Sequence, residues 1–302
     1  GSGSSLKAQV TTADSSIGAS QFCYIFQRIE AQNLQHLLYG TSSAKTLTLS
    51  FYVKSNKTGT YTINLYKPDN TAYNYVQEYT INSANTWEKK EITISPTAGS
   101  TSLITSSAGA INNDTGSGLE IGFSLAWGSD FNTTANTWVA ANDYSTTNQV
   151  NWMDSTSNNF YLTEVQLEVG DKATPFEHRS FAEELALCQR YYEKSYDYGT
   201  AIGTVTYLGA VTMGGGATGS TTSFSPMLCP QFEVRKRTAP TVTVYDQAGT
   251  SGKVQRWQLG LTNSNGHTAT VADNSETNFK VYSGSGDNAS GITCHYEATA
   301  EL

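Results

Sequence analysis

FYLTEVQLEVGDKATPFEHRSFAEELALCQRYYEK, running from Phe160 to Lys194, changes its hydrophobic period halfway along. From Tyr161 to Val169 the residues alternate. Tyr161, Val165, Leu167 and Val169 share one face with Thr163, and Glu164, Gln166 and Glu168 occupy the other. This pattern predicts a strand with one buried face. Gly170 and the Thr174-Pro175 pair end the run, because the residue before a proline is pushed out of helical geometry. A helical period then begins. Ser180 and Glu183 have capping-box spacing, Glu183 and Glu184 sit near the positive end of the helix dipole, and Phe181, Leu185, Cys188 and Tyr192 recur at helical intervals. The stretch therefore predicts a joint (171–195, linker and amphipathic helix) between a first β domain (6–170) and a second, smaller one (196–302).

Composition supports an all-β chain. Of the 302 residues only 15% are charged, and 18 Tyr and 11 Phe accompany abundant Ser, Thr, Asn and Gly. Aromatic and β-branched side chains suit a pleated surface, and Gly and Asn suit its turns. A net charge of -8 argues against nucleic acid as a partner, since that affinity comes from Lys and Arg neutralising phosphates. Neutral ligands fit better. The four cysteines, Cys23, Cys188, Cys229 and Cys294, are too scattered for a metal ribbon and too few for a disulfide scaffold, and read as free thiols. No apolar run is long enough for membrane insertion. The opening GSGSS (1–5) reads as a tag remnant.

Taken in order, Leu6–Val10 and Phe22–Ile29 read as strands. Leu47, Leu49, Phe51 and Val53 alternate strictly, as do Tyr61, Ile63 and Leu65 after a turn at Asn56 to Gly59, which predicts a hairpin. Tyr73 to Ile81, Trp87 to Ile94 and Leu119 to Trp127 continue the period of two, the last with Trp127 extending the apolar face. With the strand from Tyr161 this makes about eight, enough for a jelly-roll β-sandwich. Between Gly128 and Asn151 lies a long polar segment carrying Phe131, Trp138 and Tyr144, and loops of that length are often functional. Beyond the helix, Val205 to Met213, Phe224 to Leu228, Phe232 to Val234, Val242 to Tyr245, Trp257 to Leu261, Phe279 to Tyr282 and Ile292 to Ala298 read as strands, and Gly214 to Gly216 as a turn.

The run VQLEVGDKATPFEHRSFAEELALCQRYYEKS (165–195) resembles the junction found in phage and prophage tail-fibre or receptor-binding proteins. TLSFYVKSNKTGTYTINLY (48–66) and NTWEKKEITI (85–94) resemble the jelly-roll carbohydrate-binding modules that such fibres share with polysaccharide-degrading enzymes. The resemblance spans roughly residues 6 to 196. It implies a virion tail protein, assembled in the bacterial cytoplasm, that binds a bacterial cell-surface polysaccharide or glycan without cutting it. It also implies a homotrimer, a buried Trp87, and a structural Ca²⁺ held from the last strand, where this chain offers Glu164. The alternatives are a trimerising spacer in the fibre and an accessory module of a polysaccharidase.

Sugar sites set aromatic faces against pyranose rings and fix hydroxyls with amides and carboxylates. Tyr73, Tyr75, Trp138, Tyr144 and Trp152, with Asn136, Asn142 and Asp143, are the candidates the sequence offers. No catalytic residue is assigned. Glu164 and Glu168, four strand residues and roughly 13 Å apart, are too distant for a glycosidase pair, whose carboxylates stand about 5 to 9.5 Å apart. His36, His178, His267 and His295 lack metal-ligand spacing and read as surface histidines. The helix stripe Phe181, Leu185, Cys188 and Tyr192 is the candidate oligomer interface, because so short a helix must bury its apolar side against something.

Overall fold

The computed structural model describes residues 3–214, 227–257, 263–283 and 291–302. The expected turn at Gly215 and Gly216 and the strand positions at 224–226 and 258–261 lie outside them. The chain divides into two compact units, 1–178 with Leu302, and 179–301.

The first unit carries β1 (Leu6–Gln9), β2 (Phe22–Glu30), β3 (Leu47–Ser55), β4 (Gly59–Lys67), β5 (Tyr73–Ile81), β6 (Glu88–Ile94), β7 (Ser117–Trp127), β8 (Thr137–Val139) and β9 (Asn159–Val169). They form two antiparallel sheets, ordered β1-β9-β3-β6 and β2-β7-β4-β5-β8. The chain passes from sheet to sheet after β1, β2, β3, β5 and β6 and again before β9. This is the eight-strand jelly roll, with β8 added at one edge. The core lies between the sheets, where Leu47, Leu49, Phe51 and Val53 of β3 face Tyr61, Ile63 and Leu65 of β4, all buried. The expected β3–β4 hairpin is therefore an arch between sheets. Two strands facing one core from opposite sides show the same alternation as two strands side by side, and only pairing tells them apart.

Two bulges reset which residues face out. In β9, Gln166 pairs with Ser50 and Thr163 with Tyr52, so Glu164 and Val165 together oppose Phe51. Glu164 takes a left-handed backbone (φ 51°), and the side-chain phase inverts there. Phe160 and Leu162 enter the core, whereas Tyr161 and Thr163, expected inside, stand on the outer face. In β7, Cys23 pairs with Ala126 but Tyr24 with Ser124, leaving Leu125 extra. Trp127 thereby turns outward with Phe22 instead of continuing the inner face.

The second unit opens with α1 (Phe181–Gln189). Its capping box forms as the spacing predicts: Ser180 N–H donates to Glu183 Oε2 at 2.9 Å, and Glu183 N–H to Ser180 Oγ at 3.3 Å. The strands β10 (Tyr192–Lys194), β11 (Val211–Gly214), β12 (Met227–Leu228), β13 (Thr241–Tyr245), β14 (Lys253–Trp257), β15 (Ser264–Ala272), β16 (Lys280–Ser283) and β17 (Gly291–Thr299) follow. β17 is the hub, pairing with β10, β11, β13 and β14. Surrounded in this way it buries both of its faces, so Cys294 and His295 are each fully buried. His295 is thus not a surface histidine. Its Nδ1 shares a hydrogen bond with Ser195 Oγ at 3.1 Å, its Nε2 lies 3.0 Å from the Thr206 carbonyl, and its ring stacks on Tyr196 at 3.9 Å. The four cysteines are free thiols.

A candidate glycan-binding face

Most of the aromatics singled out from the sequence are core. Tyr73 and Tyr75 lie on the inner face of β5, and Trp138, whose segment pairs as β8 with β5, packs beside Tyr75 with ring centroids 5.4 Å apart. The Trp138 indole donates to the Ser95 carbonyl at 2.9 Å. Trp152 is buried in a 3₁₀ turn (Trp152–Asp154). None of these four can offer a ring face to a sugar. A polar sequence context suggested an exposed loop, but pairing of Thr137–Val139 with a sheet edge draws Trp138 inward. Asn136 is exposed, and its side-chain oxygen accepts from the Tyr75 hydroxyl at 2.9 Å, which makes it a cap on the core.

Tyr144 does stand on the surface, and it stands among other aromatics. On the outer face of the five-stranded sheet, β2 presents Phe22, Tyr24 and Phe26, β7 presents Trp127, and the following segment brings Phe131 and Tyr144. Phe22 stacks on Trp127 at 4.9 Å and Tyr24 on Phe26 at 5.0 Å. Phe131 meets Trp127 edge-on at 4.8 Å, and Tyr66 of β4 reaches Tyr144 at 6.2 Å. Phe22 remains 57% exposed and Phe26 44%. A contiguous, partly exposed aromatic patch is the kind of surface on which partners or ligands dock.

The segment from 141 to 149 is tied down over β4 and β5. Asn74 Nδ2 donates to the Ala141 carbonyl at 3.1 Å, Ser124 Oγ to the Tyr144 carbonyl at 3.1 Å, and Asn148 Nδ2 to Glu78 Oε1 at 3.0 Å. Beneath it Asn64 is fully buried, with neither amide atom hydrogen-bonded in the structure. It fits because its neighbour across the sheet is Gly122.

Polar groups rim the aromatics. Arg28 Nε and Glu120 Oε2 form an ion pair at 3.0 Å, and the Tyr24 hydroxyl donates to Glu120 Oε1 at 3.4 Å. Burial, followed by the Glu120 charge, pushes the Tyr24 phenol up to about 12, so it remains a hydroxyl donor at neutral pH. Asp143 is half-buried, which raises its carboxyl above the usual range against a hydrogen bond from Thr133, and Asn142 is exposed beside it. Stacked rings flanked by amides, carboxylates and hydroxyls suit a ligand with apolar ring faces and hydroxyl edges.

Trp87, which the resemblance placed in the core, is 39% exposed on the other sheet, where Lys54 Nζ lies 4.9 Å from its ring centroid. Glu164 lies on that same outer face. Among the described residues no three His, Cys, Asp or Glu side chains group as a metal site. Nor is any helix among them long and apolar enough to cross a membrane.

No family model and no curated protein sequence matches this chain. Among solved structures it is similar to discoidin II of Dictyostelium discoideum (10% identity, 96% of this chain and 81% of that one, TM-score 0.22). It is also similar to the PBSX exported protein XepA (7% identity, 97% and 86%, TM-score 0.20). A third likeness is to a chain of the Sulfolobus turreted icosahedral virus (11% identity, 92% and 57%, TM-score 0.19). At such TM-scores these likenesses carry no argument about ligand or role.

Proposed function

We propose that the first unit is a non-catalytic glycan-recognition module and that the chain is a receptor-binding part of a phage tail fibre, addressed to a bacterial surface polysaccharide. The observation that carries this reading is the aromatic platform of Phe22, Tyr24, Phe26, Trp127 and Tyr144 on the outer face of a jelly-roll sheet. Aromatic faces gain by covering the apolar faces of pyranose rings, and the acidic chain disfavours polyanions. Binding of the whole chain to a glycan array tests it. Trp127→Ala should weaken the signal, by losing the platform's share of it, while the chain stays folded. Undiminished binding by that variant would remove the platform from the reading.

A structural role for the second unit is favoured by α1, none of whose residues is buried. Phe181 is 67% and Leu187 48% exposed, and Leu185 and Cys188 are also accessible. In our reading neighbouring copies in a homotrimer cover this side of the unit. Tyr192, expected on the helix stripe, belongs instead to β10 and is half-buried. The localisation that follows is the virion tail.

A further inference from the structure

On the outer face of the four-stranded sheet a cleft of about 640 Å³ lies over β3, β6 and β9, a size suited to a small ligand. Ser50, Tyr52, Thr163 and Glu164 line it with polar groups, Trp87 and Phe176 with aromatic surface, and residues 3–5 run along its rim. The segment carrying Phe176 is fastened to β9. Thr174 N–H donates to Glu168 Oε2 at 3.0 Å, and Glu177 N–H to Gln166 Oε1 at 2.8 Å. The opposite wall is fixed as well, since Trp87 stands edge-on to Tyr161 at 6.3 Å.

Glu164 is placed here by the bulge. Its left-handed backbone is costly for a non-glycine residue, and such strain, held by its surroundings, concentrates at sites that re-aim a side chain. The charges decide the ligand class. An anion would meet the Glu164 carboxylate. A cation would meet Lys89, which also lines the cleft and whose ammonium lies 2.6 Å from Glu91 Oε1. A hydroxyl both donates and accepts, so it can answer the carboxylate and the Ser50, Tyr52 and Thr163 hydroxyls alike, while the aromatic surface takes the ring face.

We propose that this cleft is a second carbohydrate site, taking one neutral pyranose ring. The proposal rests on the glycan-recognition reading but on none of the platform residues. Titration calorimetry of the full chain with methyl glycosides of glucose, galactose, mannose and N-acetylglucosamine, and with their linear trimers, should show two sites for a sugar that binds. Trp87→Ala and the near-isosteric Glu164→Gln should each remove one site or weaken it at least tenfold with the melting temperature retained. Trp127→Ala should remove the other. If Trp87→Ala does not fold, Glu164→Gln carries the test. Unchanged stoichiometry and affinity in the folded cleft variants would overturn the proposal, as would loss of all binding in Trp127→Ala, which leaves the platform reading standing. Loss of all binding in Trp87→Ala, with Trp127→Ala unaffected, would keep the cleft and overturn the platform. No saturable binding of any of these sugars to the native chain would overturn both.

Discussion

The indole of Trp127 and the phenol ring of Tyr144 stack with centroids 4.7 Å apart and planes 9° from parallel. One ring comes from the end of a strand, the other from a loop seventeen residues further on, and the contact exists only because the bulge at Leu125 turns Trp127 outward. Trp127→Ala should therefore remove sugar binding at the platform while costing about 1 kcal/mol, the scale of a stacked surface pair. Trp138→Ala should do the reverse to stability, costing about 3–5 kcal/mol as a buried tryptophan truncation. Thermal melting beside glycan binding separates the two.

Gly122 seats Asn64 under the loop that carries Tyr144. A Cβ at Gly122 would come within 2.1 Å of Asn64 Oδ1, and Asn64, being fully buried, has little room to yield. Gly122→Ala should cost about 1–3 kcal/mol, as overpacking does, and weaken sugar binding by lifting the 141–149 segment. Adding Asn64→Ala should restore part of both losses, a coupling that a double-mutant cycle reads directly.

Lys67 gives the first unit a signature at alkaline pH. Its buried ammonium is surrounded by the carbonyls of Asp69, Ala108 and Ala110, and burial lowers it to about 8 against a partial offset from Asp69. Between pH 8 and the ordinary lysine value near 10.5 the unfolded chain holds a proton that the folded chain has released, so stability rises with pH across that window. Above pH 10 the sign reverses for Tyr61 and Tyr75, both raised to about 12 by burial, because the unfolded chain then loses protons that the folded chain keeps. Urea denaturation at a series of pH values should show the native chain gaining stability relative to Lys67→Met from pH 8 upward. A flat difference would contradict the burial of that charge.

The exposed side of α1 predicts association. Light scattering at micromolar concentration should give a trimer mass, and Leu185→Asp should reduce it toward the monomer without unfolding either unit. A monomeric native chain would contradict the threefold reading.

Period-two alternation made the strands and the sandwich legible in the sequence, and the Ser180–Glu183 spacing made the helix start legible. The candidate face was legible mainly through Tyr144. A bulge adds one residue and inverts a face without any mark in the pattern, which concealed Trp127 and exchanged Tyr161 for Leu162. β2 is apolar on both faces, with Phe22, Tyr24 and Phe26 alternating with Cys23 and Ile25, so periodicity could not say which aromatics faced water. The segment around Trp138 was polar enough to read as a loop, and its pairing with β5 depends on contacts far away in sequence. β15, SNGHTATVA, was missed because a half-exposed strand of small polar residues carries little hydrophobic alternation.

The five tryptophans are built-in reporters of where a sugar lands. In a ¹⁵N-labelled sample titrated with a glycan that binds, the Trp127 indole resonance should shift and saturate while those of the buried Trp138 and Trp152 stay in place. A saturating shift at Trp138 or Trp152 with Trp127 unmoved would contradict recognition on the outer face of the five-stranded sheet.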